Sequence, residues 1–458
     1  MKPLSLQELR QACDARLQGQ DHGTVVHGVS TDTRTLRPGE LFVALCGEAH
    51  DGHDYIAAAC DAGAAAALAA RPVAASCPLL LVRDTLLAYG AIGALCRRSS
   101  TARFIAVTGS AGKTTTKDMI GSIAMVAGSA LVSPGTQNNE VGVPRLLIDL
   151  APEHEYCVLE LAMRGPGEIR YLAEMSRPHV GIITNIGDAH LGRLGSREAI
   201  AKTKAELLVC LPPDGVAVLN ADDFFFGLLR EMCPCPVASF GTGAAPEEVA
   251  FHVTATRVQA TGVQPASFQL HVAQTARHVK LAVPGMHNVA NALGAAAAAY
   301  AAGISVDEIV AGLEGYLGSD MRSEVLQAPG GFTVINDTYN ASPTSTPAAL
   351  QMLAQCTGRK VFVFGDMLEL GSAAERAHRQ IGSRAVKAGV EWLLTVGPLA
   401  AWAAEEAEAL GIQANAVETA EEALELLDGV LEPGDTVLVK ASRAVALERV
   451  VRGLVEGA

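Results

Sequence analysis

Short apolar runs separated by longer helical patterns extend along nearly the whole chain. Runs of this kind, bounded by turn residues, are typical of strands buried in parallel sheets. The predicted strands lie at residues 25–29, 41–45, 79–82, 104–107, 157–161, 180–184, 216–220, 334–335, 361–364, 393–396 and 436–439. Alanine-rich segments predict helices at residues 57–70, where the helix runs into a strand, 401–410 and 420–427. The alternation of strands and helices predicts an α/β fold.

The length of the chain predicts three domains. At 458 residues and 47.5 kDa it is too long for a single core, since domains average about 150 residues. We predict a small N-terminal α/β domain (1–98), a central doubly wound domain (99–317) and a C-terminal Rossmann-like domain (318–458). Short antiparallel strands are expected as an insert at residues 238–280. Doubly wound sheets bind ligands at the carboxyl ends of their strands, so the chemistry is expected there.

Composition and charge limit the kinds of binding partner and the cellular compartment that we expect for this protein. The net charge of -14 argues against a nucleic-acid partner, because phosphate binding needs a basic face. No apolar run reaches the roughly 18 residues of a membrane span, and the polar N-terminus lacks a signal-peptide core. We therefore expect a cytoplasmic protein with no membrane span. The ten cysteines show no metal-like pairing and are expected to be reduced, with Cys233 and Cys235 in a loop.

The segment 104–117, FIAVTGSAGKTTTK, has the pattern of a strand, a glycine loop and a helix. Loop N–H groups and the positive end of such a helix bind phosphate oxygens, a lysine reaches the terminal phosphates, and a hydroxyl ligates Mg²⁺. Val107 stands where the general motif has its first glycine, so a plain glycine turn with a surface lysine is the alternative. The predicted nucleoside triphosphate contacts are Gly109, Ser110, Ala111, Gly112, Lys113, Thr114 and Thr115.

Polar residues follow several other predicted strands. Glu160 ends a buried run, and a carboxylate is too costly to bury unless it is paired or holds a metal. His190 follows the strand at 180–184, where a structural histidine is the default and a metal ligand the alternative. Asn288 lies near the start of a helix and would either cap it or hydrogen-bond a purine. Arg34, with its hydroxyl and carboxylate neighbours, could bind a diphosphate and ribose or merely form a turn.

Seven motifs together resemble the Mur ligase family over nearly the whole chain. They are STDTR at Ser30, TGSAGKTTT at Thr108, NNEVGVP at Asn138, TNIGDAHL at Thr184, GMHNVANAL at Gly285, NDTYNASP at Asn336 and GDMLELG at Gly365. The last two favour the branch that adds D-alanyl-D-alanine. The DNPR-like motif expected in the enzyme that adds the third amino acid is not found.

The resemblance implies an ATP-dependent, ADP-forming amide ligation in peptidoglycan precursor synthesis. ATP would phosphorylate the carboxylate of UDP-N-acetylmuramoyl-tripeptide, and the amine of D-alanyl-D-alanine would attack the acyl phosphate. A monomer without a nucleic-acid partner is expected. The rivals are a sister ligase with another acceptor, such as a lysine- or diaminopimelate-adding or folylpolyglutamate-type enzyme, and a non-catalytic nucleotide switch. The switch is disfavoured because no N-K-x-D guanine motif is present.

The resemblance also implies roles for single residues. Lys113, His190 and Lys204 would be catalytic, with Lys204 carbamylated so that it can ligate metal. Two Mg²⁺ ions are expected, one bound by Thr114 and Glu160 and the second by His190 and the modified Lys204. The remaining implied contacts are Asn288 to adenine, Arg322 and Asp337 to phosphates and ribose, and Ser30, Asp32, Thr33 and Arg34 to the uridine diphosphate.

Four positions depart from the family pattern. They are Thr136 for an asparagine, Leu161 and Ala162 for a Met-Gly pair, Gly192 for an acidic residue, and Ser342 for an asparagine. None removes a residue assigned to ATP or metal, so the expected reaction class is unchanged.

Overall fold

The computed structural model describes residues 1–47 and 49–456. Within this range the strands are β1 (Leu4–Ser5), β2 (Arg16–Gln18), β3 (Val25–Val26), β4 (Val29–Ser30), β5 (Leu41–Val43), β6 (Ala66–Ala69), β7 (Leu79–Leu81), β8 (Arg103–Thr108), β9 (Ala130–Val132), β10 (Tyr156–Glu160), β11 (Val180–Ile183), β12 (Val216–Asn220), β13 (Val237–Phe240), β14 (His252–Gln259), β15 (Pro265–Val272), β16 (Thr275–Pro284), β17 (Glu324–Gln327), β18 (Thr333–Asn336), β19 (Lys360–Gly365), β20 (Trp392–Val396), β21 (Gln413–Val417) and β22 (Thr436–Lys440).

The helices alternate with these strands. In the described residues they are α1 (Leu6–Ala12), α2 (Ile56–Asp61), α3 (Thr85–Arg98), α4 (Lys113–Ala127), α5 (Gly142–Ile148), α6 (Glu168–Ser176), α7 (Leu191–Leu194), α8 (Arg197–Lys204), α9 (Glu206–Val209), α10 (Phe226–Glu231), α11 (Met286–Ala301), α12 (Val306–Gly315), α13 (Ser345–Ala354), α14 (Ala374–Lys387), α15 (Ala401–Ala409), α16 (Ala420–Leu427) and α17 (Glu448–Glu456). Short 3₁₀ turns lie at Gly52–Tyr55, Gly371–Ala373 and Arg443–Val445. The predicted α/β class is confirmed.

One compact unit comprises residues 1–106, 128–163 and 167–179. Its five-stranded sheet has the order β2-β7-β6-β5-β4, in which β4 to β7 are parallel and β2 is antiparallel to β7. Alternate residues of β5 belong to two separate cores, Leu41 and Val43 to one and Phe42 to the other. Because both faces of the sheet are covered at β5, β6 and β7, these three strands are apolar throughout rather than alternating. The same unit contains β10 paired in parallel with β9.

The second unit comprises residues 107–127, 164–166 and 180–458. Six of its strands follow the order β11-β12-β13-β14-β15-β16, parallel as far as β14 and antiparallel from β14 to β16. The antiparallel part confirms the predicted insert. Helix α11 packs on this sheet, and a Cβ on its Gly294 would lie 3.1 Å from Ile182 Cδ1. Alanine and glycine therefore allow this helix to lie close to the strands.

The last six strands of the second unit form another sheet, in the order β17-β18-β22-β19-β20-β21. All neighbours are parallel except β17, which runs antiparallel to β18. Separate apolar clusters cover its two faces, as in a Rossmann-like domain. Asn336 of β18 pairs with Val439 of β22, so the residues that follow these two strands are neighbours. The predicted domain limits at residues 98 and 317 stay predictions.

Two expectations need correction. Cys60 and Cys77 form a disulfide, whereas all cysteines were expected to be reduced. The fold brings α2 and the segment before β7 together, with the two Cα atoms 5.7 Å apart, and the sequence spacing does not reveal this. The helix predicted at residues 57–70 ends at Asp61, because Gly63 takes a φ of 92° and β6 starts soon after.

Among the described residues, no helix combines the length and the apolar character that crossing a bilayer requires.

Candidate active site

The phosphate loop lies where the sequence predicts it, between the end of β8 at Thr108 and the start of α4 at Lys113. Gly109 has a φ of 154° and Gly112 a φ of 76°. A Cβ atom on Gly109 would overlap Thr184 Oγ1, and one on Gly112 would overlap Asn291 Oδ1. Both positions therefore require glycine, for backbone conformation and for space.

Asn185 holds the middle of this loop. Its backbone carbonyl accepts the Ser110 N–H at 2.9 Å, and its side-chain Oδ1 accepts the Ala111 N–H at 3.0 Å. Its Nδ2 donates to the Ala111 carbonyl at 3.0 Å, and the Gly187 N–H donates to Ser110 Oγ at 2.9 Å. The backbone N–H groups of Ser110 and Ala111 are thus engaged within the protein.

Lys204 lies against the loop, and its predicted catalytic role stays a prediction. It is the last residue of α8, and its Nζ donates to the Gly109 carbonyl at 2.9 Å. Its side chain is almost fully buried, which is rare for lysine unless the ammonium group has acceptors. The structure therefore brings Lys204 and the phosphate loop together.

Arg322 also reaches the loop. Its Nη2 donates to Thr114 Oγ1 at 2.9 Å, so this predicted phosphate contact and the predicted metal-binding hydroxyl are in direct contact. Asp337 lies nearby in the chain's C-terminal sheet, where its carboxylate accepts from Lys440 Nζ at 2.5 Å and from the Ser323 N–H at 3.1 Å. Lys440 ends β22 and Asp337 follows β18, which explains their meeting at one sheet edge.

His190 has a backbone φ of 66° and precedes the short helix α7. Its Nδ1 lies 2.9 Å from Oε2 of Glu369, a residue that sequence reasoning did not assign. Burial, together with the nearby charge of Lys204, lowers the pKa of His190, and Glu369 opposes that shift only in part. The lowered pKa favours the neutral imidazole, which is the form that ligates a metal ion.

Gly192 departs from the family pattern for a steric reason. A Cβ atom at this position would lie 2.9 Å from the Glu369 carbonyl oxygen and 2.9 Å from the Gly371 nitrogen. An acidic side chain could not enter without displacing the segment that places Glu369 beside His190.

Asn288 does not cap its helix. Gly285 is the N-cap residue of α11 and no side chain accepts from the first turn. The Asn288 amide instead donates from Nδ2 to the Pro284 carbonyl at 2.8 Å, and its Oδ1 accepts from Asn291 at 3.3 Å. Of the two alternatives for Asn288, helix capping was wrong, because the chain enters α11 through Gly285 with its positive φ and the asparagine lies about one turn later.

In the first unit, Glu160 ends β10 with its side chain buried. Asn138 Nδ2 donates to its Oε1 at 2.7 Å, and its backbone N–H donates to Ser133 Oγ at 3.4 Å. The Asn138 amide orients the carboxylate through this hydrogen bond. Such an oriented carboxylate suits a hard cation such as Mg²⁺.

The predicted uridine diphosphate residues, also in the first unit, form a hydrogen-bonded turn. Ser30 Oγ donates to the Asp32 carbonyl at 2.9 Å. Arg34 donates to the Asp32 carboxylate from Nε at 2.9 Å and from Nη2 at 2.6 Å, which lowers the pKa of Asp32 to about 2. The Arg34 side chain is 87% exposed, so its outer face remains accessible to solvent. Thr33 lies within this turn, and the ligand role of all four residues stays a prediction.

A second cluster in the same unit contains residue types that bind metals, but both nitrogens of its histidine already form contacts within the protein. Cys46, Asp51 and His53 lie within 4.8 Å of one another. His53 Nε2 accepts the Ala70 N–H at 2.8 Å, so the ring proton is on Nδ1, which lies 2.6 Å from Asp51 Oδ1. Both ring nitrogens are therefore used, and a metal would have to break one of these bonds.

Sequence reasoning missed several residues that build the site. They are Asn185, Asn291, Glu369, Lys440 and Tyr339, whose ring stacks against the Arg322 guanidinium. Only Lys440 was absent from every quoted motif. It could have been identified as the charged residue at the end of the otherwise mostly apolar strand Thr436–Lys440. The others lay within quoted motifs, but their partners come from distant parts of the chain.

Comparison with protein families gives three matches. The Mur ligase family catalytic domain matches residues 25–92, the Mur ligase middle domain residues 107–299, and the Mur ligase glutamate ligase domain residues 321–443. The order of these matches follows the three predicted domains.

Individual relatives match over the full length. The UDP-N-acetylmuramoyl-tripeptide--D-alanyl-D-alanine ligase of Escherichia coli (strain K12) is 37% identical, covering 100% of this chain and 99% of that protein. A crystal structure of MurF from Acinetobacter baumannii matches with a TM-score of 0.93 at 37% identity, over 100% and 99% of the two chains. The MurF ligase of Thermotoga maritima in complex with ADP matches with a TM-score of 0.82 at 28% identity, over 93% and 96%.

Proposed function

We propose that this chain, which belongs to the Mur ligase family, adds D-alanyl-D-alanine to UDP-N-acetylmuramoyl-tripeptide and converts ATP to ADP and phosphate. The observation that carries the proposal is the full-length match to relatives of that name. The reaction belongs to peptidoglycan precursor synthesis, and because it consumes ATP we expect it in the cytoplasm.

The ligation proceeds through two displacements. A carboxylate oxygen of the tripeptide attacks the terminal phosphorus of ATP, and ADP leaves. The amine of D-alanyl-D-alanine then attacks the acyl carbon and loses a proton, and phosphate leaves. The protein contributes mainly placement and charge neutralisation, which such transfers require.

Lys113, the start of α4 and Arg322 supply positive charge for the phosphates. Lys113 begins the helix whose positive end faces the loop, and Arg322 reaches Thr114 in the same place.

Bound Mg²⁺ would neutralise phosphate charge, and the hydroxyl of Thr114, the neutral ring of His190 and the oriented carboxylate of Glu160 are suitable donors. Asn288 is proposed to contact adenine and Asp337 the ribose.

Carbamylation of Lys204 is the finer part of the proposal. Addition of CO₂ to its buried Nζ, which lies 2.9 Å from the Gly109 carbonyl oxygen, with loss of a proton from the nitrogen, would form a carbamate that carries its negative charge next to the phosphate loop. Trapping the carbamate with labelled CO₂ and mapping it by mass spectrometry should mark Lys204 and not Lys202. Lys202 is the matched control because it is on the same helix but pairs with Glu198 in solvent.

One assay tests the main proposal. Purified protein is incubated with ATP, Mg²⁺ and UDP-N-acetylmuramoyl-tripeptide, and phosphate release is measured for a panel of amines and dipeptides. We expect release with D-alanyl-D-alanine and the corresponding pentapeptide product by mass spectrometry. Release with lysine or diaminopimelate instead would assign the chain to a sister ligase and reject the proposed acceptor.

The phosphate-loop lysine supplies the control. Lys113→Ala should lower phosphate release at least about 100-fold, since it removes a charge-neutralising contact. Lys202→Ala, an exposed change on α8, should leave the rate unchanged. Full activity of Lys113→Ala would contradict the assignment of the ATP site.

A further inference from the structure

Arg322 lies between two residues with an unusual backbone. Met321 has a φ of 57° and Ser323 a φ of 52°, and both carry side chains, for which the left-handed region is unfavourable. Such conformations persist only where the surroundings hold them. The segment 321–323 is therefore held in place by its neighbours and does not follow a relaxed path.

Two hydrogen bonds attach this segment to the loop that follows β18. The Tyr339 N–H donates to the Met321 carbonyl at 3.2 Å, and the Ser323 N–H donates to Asp337 Oδ1 at 3.1 Å. Asp337 is in turn held by the buried Lys440, whose Nζ also donates to the Asn340 carbonyl at 2.8 Å. The backbone on both sides of Arg322 is thus fixed to one loop.

The ring of Tyr339 supports the Arg322 side chain itself. The guanidinium carbon lies 3.9 Å from the centre of the ring, a cation–π distance. With one face stacked in this way, the edge of the guanidinium donates to Thr114 Oγ1 at 2.9 Å. Among the described residues, no carboxylate forms a salt bridge with Arg322.

We propose that Tyr339 is a positioning residue that aims Arg322 at the phosphate loop while leaving its charge uncancelled. A carboxylate could orient an arginine equally well, but it would neutralise the cation that a triphosphate needs. An aromatic face orients the guanidinium by stacking and carries no net charge. The proposal rests on the proposed function, because it assumes that the loop binds ATP.

The test is a double-mutant cycle on Tyr339 and Arg322. Y339L should raise the KM for ATP and weaken ATP binding by about 3- to 30-fold, the range of a cation–π contact. Y339F, which keeps the aromatic face, should stay close to wild type. In an Arg322→Ala background Y339L should cause no further loss, because the residue that it positions is gone.

Three results would overturn the proposal. The first is an unchanged ATP affinity in Y339L. The second is a decrease in ATP affinity in Y339F as large as that in Y339L, and the third is a decrease from Y339L that is as large in the Arg322→Ala background as in the wild type. Circular dichroism and thermal melting confirm folding, and Y339M replaces Y339L if the latter is unfolded. ATP binding is measured by calorimetry without the peptide substrate. Failure of the wild type to ligate would therefore reject the proposed function, while the double-mutant cycle would still measure the coupling between Tyr339 and Arg322 in ATP binding.

Discussion

Gly112 shows how strictly single residues of the phosphate loop are determined. Its φ of 76° disfavours any side chain, and an added Cβ would overlap Asn291 Oδ1. Gly112→Ala should therefore displace either the loop or the start of α11. We expect ATP affinity, measured by calorimetry, to fall about 10-fold or more, because backbone strain and overlap both act on the binding loop.

Gly389 provides a matched control. Its φ of 75° is almost the same, but nothing lies within 4 Å of an added Cβ. Gly389→Ala should cost about 1–2 kcal/mol of folding stability through backbone strain alone and leave ATP affinity unchanged. If both variants weakened ATP binding equally, the contact with Asn291 would not be the cause.

Residue types at the loop could be predicted from the sequence, but their partners could not. The phosphate loop is local, so its glycines, lysine and hydroxyl appear within one short motif. Asn185 and Lys204 meet that loop only through the fold, 74 and 95 residues away along the chain. The capping alternative for Asn288 was wrong for a similar reason. Its position near the start of a helix suggested that it caps the helix, but the N-cap residue of α11 is Gly285.

At the scale of elements, helix α12 packs closely against α4, the helix that follows the phosphate loop. A Cβ on Gly312 would overlap the backbone of Ile123, and Ser122 Oγ donates to the Gly312 carbonyl at 2.7 Å. Gly312→Ala should separate the two helices and lower the free energy of unfolding by about 1–3 kcal/mol. Urea denaturation measures this change.

The same helix contains its own control. Gly315 is the last residue of α12, and an added Cβ would lie 3.7 Å from Ser122 Oγ, an ordinary contact. Gly315→Ala should be neutral or stabilising by up to about 1 kcal/mol, since alanine favours helix over glycine. Equal destabilisation by both substitutions would show that helix separation does not explain the Gly312 effect.

Elements with both faces buried were the easiest to predict. The strands of the parallel sheets are continuous apolar runs because helices cover both faces, and that pattern is visible without a structure. Boundaries set by backbone conformation were harder to predict. The predicted strand at 25–29 divides into Val25–Val26 and Val29–Ser30, and Gly63 interrupts the alanine-rich helix. The pairing of Cys60 with Cys77 depends on how elements pack and leaves no local trace.

At the scale of the whole molecule, sheet topology explains which polar residues meet. Parallel strands end at the same edge, so the buried Lys440 at the end of β22 pairs with the partly buried Asp337 after β18. The general rule about strand ends predicted that polar residues would gather at this edge, and strand order, which the sequence does not reveal, determined which of them are neighbours.

Buried neutral histidines should make the stability of the whole protein fall as the pH drops below about 6.5. His378 is fully buried, its Nε2 accepts the Met367 N–H at 2.9 Å, and its Nδ1 donates to the Ala374 carbonyl at 2.7 Å. Burial lowers the pKa of His378, and likewise those of His252 and His287. The unfolded chain therefore binds more protons than the folded chain once the pH is below 6.5, and stability rises with pH in that window.

The slope of unfolding free energy against pH shows whether these histidines cause the loss of stability. Each histidine contributes up to about 1.4 kcal/mol per pH unit between its unfolded pKa of 6.5 and its lower folded value. Urea denaturation at pH 7.5, 6.5 and 5.5 measures it, above the range in which carboxylates such as Asp32 titrate. His378→Leu should be less stable at every pH but show a shallower slope, because one group that must take up a proton on unfolding is gone. An unchanged slope would mean that a proton on Nε2 is tolerated in the fold despite the Met367 N–H.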